Sequence, residues 1–135
     1  MERYTVLDHT ADLMIKAFGE TMEECFENAA YALFDLTVDL STVDTSKQML
    51  FTSPGRDDEE GLYSLLSDLL YYMEGECMVL KDFKIKFLDD EVECCALGEQ
   101  YDESKHRFKT QIKAVTYHMM EIDRETPSVT VLFDV

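Results

Sequence analysis

Asp8-His9-Thr10-Ala11-Asp12 sets two carboxylates and an imidazole on a short link between two strand-like segments, and Asp134 adds a carboxylate just before Val135 at the other end of the sequence. Aspartate oxygens are hard donors of the kind Ca²⁺ and Mg²⁺ select, whereas Zn²⁺ favours nitrogen and sulfur. A fold that joins the two ends would therefore converge oxygen ligands on one spot without any continuous metal-binding run. The competing reading is plain: Asp12 caps a turn, and Asp134 is a solvated strand end. His9 has three open roles, as a ligand, a base, or a core histidine bonded to a strand.

Which elements would have to position these groups? Tyr4 to Leu7 and Leu13 to Phe18 read as short strands, the second alternating Leu13, Ile15, Ala17 against Met14, Lys16, Phe18. Gly19 breaks the pattern, and Thr21 with Glu24 forms a T-x-x-E capping box. Met22, Cys25, Phe26, Ala29, Ala30, Leu33 and Phe34 then keep helical spacing. A strand over 48–52 and a turn at Pro54-Gly55 lead to Asp57, Asp58, Glu59 and Glu60, whose charges suit the positive start of a second helix. Its apolar stripe runs Leu62, Leu65, Leu66, Leu69, Leu70, Met73, with Gly75 as the expected stop.

From Met78 the period changes to two, predicting strands over 79–88, 91–98, 108–115, 117–122 and 129–134, with a hairpin turn at Asp89-Asp90. The expected architecture is α+β: one domain over 1–135, with two amphipathic helices packed on a largely antiparallel β-sheet. If the last strand pairs beside the first hairpin, Asp134 has the opposite parity to Phe133. It then points away from the core and meets Asp12 at the sheet edge.

Charge narrows the functions. Against 12 basic residues stand 29 acidic ones, a formal net charge of −17, which repels a phosphate backbone. An acidic domain can instead hold cations or dock on a basic partner that itself handles nucleic acid, although solubility alone also explains such a charge. Apolar residues make up 46% of the chain, but no run approaches the roughly 18 needed to cross a membrane. The start lacks a basic region followed by an apolar one, so the expectation is a cytoplasmic protein.

Cys25, Cys77, Cys94 and Cys95 show no C-x-x-C spacing and read as reduced, mostly buried residues. There is no G-x-S-x-G and no P-loop, and 5 glycines cannot build a glycine-rich phosphate cradle. His106 sits in a polar turn with no distinguishing context, and His118 falls in a strand-like stretch beginning at Lys113. A small metal-dependent hydrolase using the paired carboxylates is a third-ranked possibility.

Three stretches taken together resemble one family: Asp8-His9-Thr10-Ala11-Asp12, Lys113-Ala114-Val115-Thr116-Tyr117-His118, and Thr130-Val131-Leu132-Phe133-Asp134-Val135. With the T-x-E-E-x-F-E-N-A-A helix of residues 21–30, the sequence is similar along its whole length to archeases. The resemblance implies a non-catalytic protein cofactor of the RtcB-type RNA ligase, which joins tRNA halves in tRNA splicing. Such a cofactor promotes guanylylation of the ligase's active-site histidine and multiple turnover, and it meets RNA only through the ligase. It also implies a metal site at Asp12, Asp134 and Val135, with calcium or another divalent cation. Val135 would contribute main-chain or terminal carboxylate oxygens. Lys113 lies inside a family motif without an assigned role. One departure is Met14, where many archeases carry glycine two places after the second aspartate. The alternative function is a general chaperone or protein-interaction module.

Overall fold

The computed structural model of the chain describes residues 2–7 and 12–135. Strands β1 (Tyr4–Leu7) and β2 (Leu13–Phe18) precede helix α1 (Met22–Thr37), a 3₁₀ turn (Leu40–Thr42) and β3 (Lys47–Pro54). Helix α2 (Asp58–Gly75) follows, then β4 (Met78–Leu88), β5 (Glu91–Gln100), β6 (Ala114–Asp123) and β7 (Ser128–Asp134). The strands form two antiparallel sheets, β1-β2-β7-β6 and β3-β5-β4, where the sequence suggested one. The helices touch both sheets, so a single apolar cluster links all three layers. The α+β class with two helices and antiparallel pairing stands as expected.

Helix starts follow the sequence signals. The Thr21 hydroxyl accepts the Glu24 amide at 3.1 Å, a cap worth about 1 kcal/mol. Glu24 reaches back to the Glu20 amide, one residue earlier than an ordinary capping box. Asp57 caps α2 by accepting the Glu60 amide at 2.8 Å, with Asp58, Glu59 and Glu60 in the first turn. Gly75 ends α2, yet the left-handed residue that turns the chain is Cys77, at φ 54.

Each sheet buries the face it turns to the helices, and β7 is buried on both faces. In the first, Ile15, Ala17, Val129, Val131 and Phe133 face the helices and are fully buried. On the opposite face, Met14 lies across from Leu132, and both are buried outside the main cluster. Met14 is thus a packing residue. In the second sheet Gly98 sits where β4 bulges. A methyl group there would overlap the Val79 carbonyl oxygen and come within 2.7 Å of the Leu80 Cα. The outer edge of β4 is covered at one point, where Glu27 of α1 accepts the Ile85 amide at 2.9 Å.

Two predicted strands changed. Residues 108–113 are irregular, because their backbone partners lie around the end of α1: Lys109 donates to the Thr37 carbonyl, and Asp39 donates to that of Arg107. Phe108 contributes only a single bridge, to Val38. The segments predicted over 108–115 and 117–122 accordingly resolve into β6 alone, which begins at Ala114 and carries a register shift between Thr116 and Glu121.

Candidate functional site

The register Leu13↔Phe133, Met14↔Leu132 carries on by one residue to set Asp12, at the entrance to β2, opposite Asp134, the last residue of β7. Antiparallel partners share a face, with β-carbons roughly 5 Å apart. Asp134 is exposed and Asp12 half-buried. The parity argument from the sequence therefore holds, but its location needs correction. The pair stands at the end of two interior strands, since β1 flanks β2 and β6 flanks β7.

On its other side Asp134 pairs with Ala114, and its carbonyl accepts the Lys113 amide at 2.7 Å. Lys113 is exposed beside the pair, while His118 lies further along β6, also exposed. Val135 is 38% exposed and continues past the strand; its hydrocarbon side chain cannot ligate, so only main-chain oxygens are available there. Asp8, His9, Thr10 and Ala11 lie outside the described residues. Among the described residues no ion pair reaches Asp12 or Asp134, and no group of three or more His, Cys, Asp or Glu side chains has the arrangement to hold a metal.

What can the pair do chemically? Like charges directly opposite on a sheet are destabilising, and a cation placed between them removes that cost. The donor set is all oxygen, borne by a solvent-exposed strand end where water can complete the coordination sphere, which fits Ca²⁺ or Mg²⁺. The sequence-predicted residues Asp12, Asp134 and Val135 are brought to one end of the first sheet.

His106 occupies a different cluster, which the sequence did not announce. Its ring is fully buried. Nδ1 accepts the Asp102 amide at 2.9 Å, so Nε2 carries the hydrogen donated to Glu99 at 2.8 Å. Glu99 also accepts the Asp44 amide at 2.8 Å and the Lys105 ammonium at 2.8 Å. The Asp44 amide first, then Lys105 and His106, hold the Glu99 carboxyl down to about 2. Asp102-Glu103-Ser104 is an Asx-type turn, with both Ser104 groups donating to Asp102, and that much was readable from residue types.

The cysteines are all free. Cys25 and Cys94 are buried, and burial pushes their thiols up to about 11 and about 12. Cys95 is half-buried and Cys77 exposed, so only two of the four meet the expectation of burial. An apolar hollow of about 240 Å³, lined by Val38, Met73, Val79, Tyr101 and Ile112 among others, involves neither Asp12 nor Asp134. Among the described residues no helix is long and apolar enough to cross a membrane.

Known proteins supply the family. The pattern of the Archease protein family matches residues 4–135. The archease of Methanosarcina mazei is 40% identical over 130 residues, covering 91% of this chain and 88% of its own. That of Pyrococcus furiosus is 38% identical over 128 residues, covering 92% and 90%. Among solved structures, Protein 1598 of Methanobacterium thermoautotrophicum superposes with a TM-score of 0.79 at 35% identity, with both chains covered completely. A Thermotoga maritima protein described as an archease and possible chaperone shares the fold, with a TM-score of 0.64 at 22% identity over 96% of this chain and 94% of its own. Match extent, identity and fold agree: this chain belongs to the archease family.

Proposed function

We propose that the protein is an activating cofactor of an RtcB-type RNA ligase, promoting ligase guanylylation and repeated turnover in the joining of tRNA exons. The observation that carries this reading is the register of β2 and β7, which sets Asp12 opposite Asp134 at one exposed end of the first sheet. In this reading Asp12 and Asp134, with main-chain oxygen at Val135, hold a divalent cation, calcium or another hard ion. A cation held there would supply positive charge to phosphate oxygens. The chain's own residues hold and present it: the β2–β7 ladder fixes the spacing of the two carboxylates, and the Lys113 amide anchors the Asp134 backbone.

The net charge of −17 supports docking on a basic, RNA-handling enzyme over direct contact with RNA. The test is multiple-turnover ligation by the cognate ligase with GTP and Mn²⁺, stimulated by wild type, Asp12→Asn or Asp134→Asn protein. Strong stimulation by wild type and little by the variants is expected; equal stimulation by all three overturns the role of the pair. The alternative, a general chaperone, requires suppression of aggregation in unrelated proteins and makes no demand on Asp12 or Asp134.

A further inference from the structure

β6 is the outer strand of the first sheet, and its register is broken in an unusual way. Thr116 faces Leu132 and Glu121 faces Thr130, so four residues, Tyr117 to Met120, stand against Val131 alone. An ordinary bulge adds one residue; this one adds three. The strand arches outward as a result. Met119 adopts φ 58, the left-handed region that disfavours any residue with a β-carbon, and its side chain is nevertheless 53% exposed. Burial of methionine is therefore not what compensates the strained backbone.

Tyr117 is 52% exposed even though its ring stacks on Tyr63 of α2, with centroids 4.1 Å apart and planes 9° from parallel. The stack anchors the base of the arch to a helix, leaving Tyr117, His118 and Met119 displayed to solvent on a rigid support. Acids flank it on the side of α2, whose cap and first turn carry Asp57, Glu59 and Glu60; Asp57 caps the helix and Glu60 is paired with Arg56, which leaves Glu59 without an ion pair among the described residues. Three residues back along β6, Ala114 pairs with Asp134, which puts the arch roughly 10 Å from the acidic pair.

We propose that the Tyr117–Met119 arch is the docking protrusion by which this protein engages its ligase, inserting an aromatic and a methionine into an apolar cup rimmed by Lys or Arg. The proposal rests on the ligase-activator reading. Charge selects this occupant: a net charge of −17 and the acidic first turn of α2 beside the arch repel nucleic-acid phosphates and anionic lipid. The acidic turn would equally meet itself in a symmetric pairing of two copies, where the same patch faces itself. Tyr and Met are the residue types enriched at the buried centre of interfaces.

The test measures binding of the full chain to purified ligase by biolayer interferometry, at low and high salt, alongside thermal unfolding. Met119→Gly is the decisive variant, because glycine accepts the left-handed backbone. Its Tm should equal or exceed that of wild type while affinity falls at least about tenfold. Tyr117→Ser should weaken binding as well, whereas Leu50→Ser, which removes a 65% exposed side chain from the other sheet, should leave it unchanged. High salt should weaken wild-type binding. Wild-type affinity in a folded Met119→Gly protein overturns the docking role, as does a defect confined to binding of RNA, anionic vesicles or a second copy. Failure of the wild type itself to bind the ligase overturns the activator reading, a result distinct from the loss of the arch alone.

Discussion

Glu99 and the Asp12–Asp134 pair are both acids at strand ends, and they are treated oppositely by the fold. Glu99 has an amide, an ammonium and a buried imidazole on its oxygens, and it ties β5 to the segment before β3 and to the loop before β6. The Glu99 carboxylate is answered entirely within the chain. Asp12 and Asp134 stand opposite one another one step beyond the β2–β7 ladder, with no cation against them among the described residues. An answered carboxylate stabilises; a paired and unanswered one is available to something outside the chain. A cluster of acids in an acidic protein is thus informative only once its partners are counted.

The largest effect is expected at Gly98, which supports the answered acid. Gly98→Ala drives a methyl group into β4 backbone that cannot give way, costing about 3 kcal/mol or more, and chemical denaturation should show an unfolded or much weakened protein. Next in size, Asp12→Asn and Asp134→Asn should abolish most stimulation of the ligase, yet leave the Tm equal or raised because a like-charge contact is removed. A fall in Tm with stimulation intact would reverse the comparison.

Glu99→Gln should behave the other way, lowering the Tm by several degrees while stimulation survives. The sign of its pH dependence follows from the depressed carboxyl. Glu99 adds stability above its ordinary 4.5, and that contribution is lost as the pH falls toward about 2. Wild type should therefore lose stability through this acid window more steeply than the Gln variant. If the two acid-unfolding curves run parallel, Glu99 is not the answered acid described. The smallest effect is that of added Ca²⁺ or Mg²⁺: at a concentration equal to the dissociation constant a bound ion adds about 0.4 kcal/mol. The corresponding rise in Tm should appear in wild type and vanish in Asp134→Asn.

Local signals carried much of this fold. The caps at Thr21 and Asp57 and the helical stripes after them are short-range features, and both helices begin where these residues put them. The parity of Asp134 against Phe133 was equally legible, because alternation along a strand is local. What parity could not supply was lateral order, which depends on pairing between remote segments; hence two sheets instead of one, and an interior site instead of an edge. His106 was opaque for the same reason. Its burial depends on Glu99 and on the backbone of Asp102 folding over it, and neither residue type advertises a ring between them. Residues 108–113 alternate like a strand, but their hydrogen bonds go to the end of α1.

The pairing of β2 with β7 has a kinetic consequence. Leu13 and Phe133 are neighbours in space and almost the full length of the described chain apart in sequence, so closing the first sheet requires a long loop to be ordered before the contact rewards it. Helix α1 and the β4–β5 hairpin can form from nearby residues, whereas the facing aspartates exist only after the most remote strands have met. Partly folded chains consequently lack the acidic pair, and the capacity to serve a partner appears together with the completed fold.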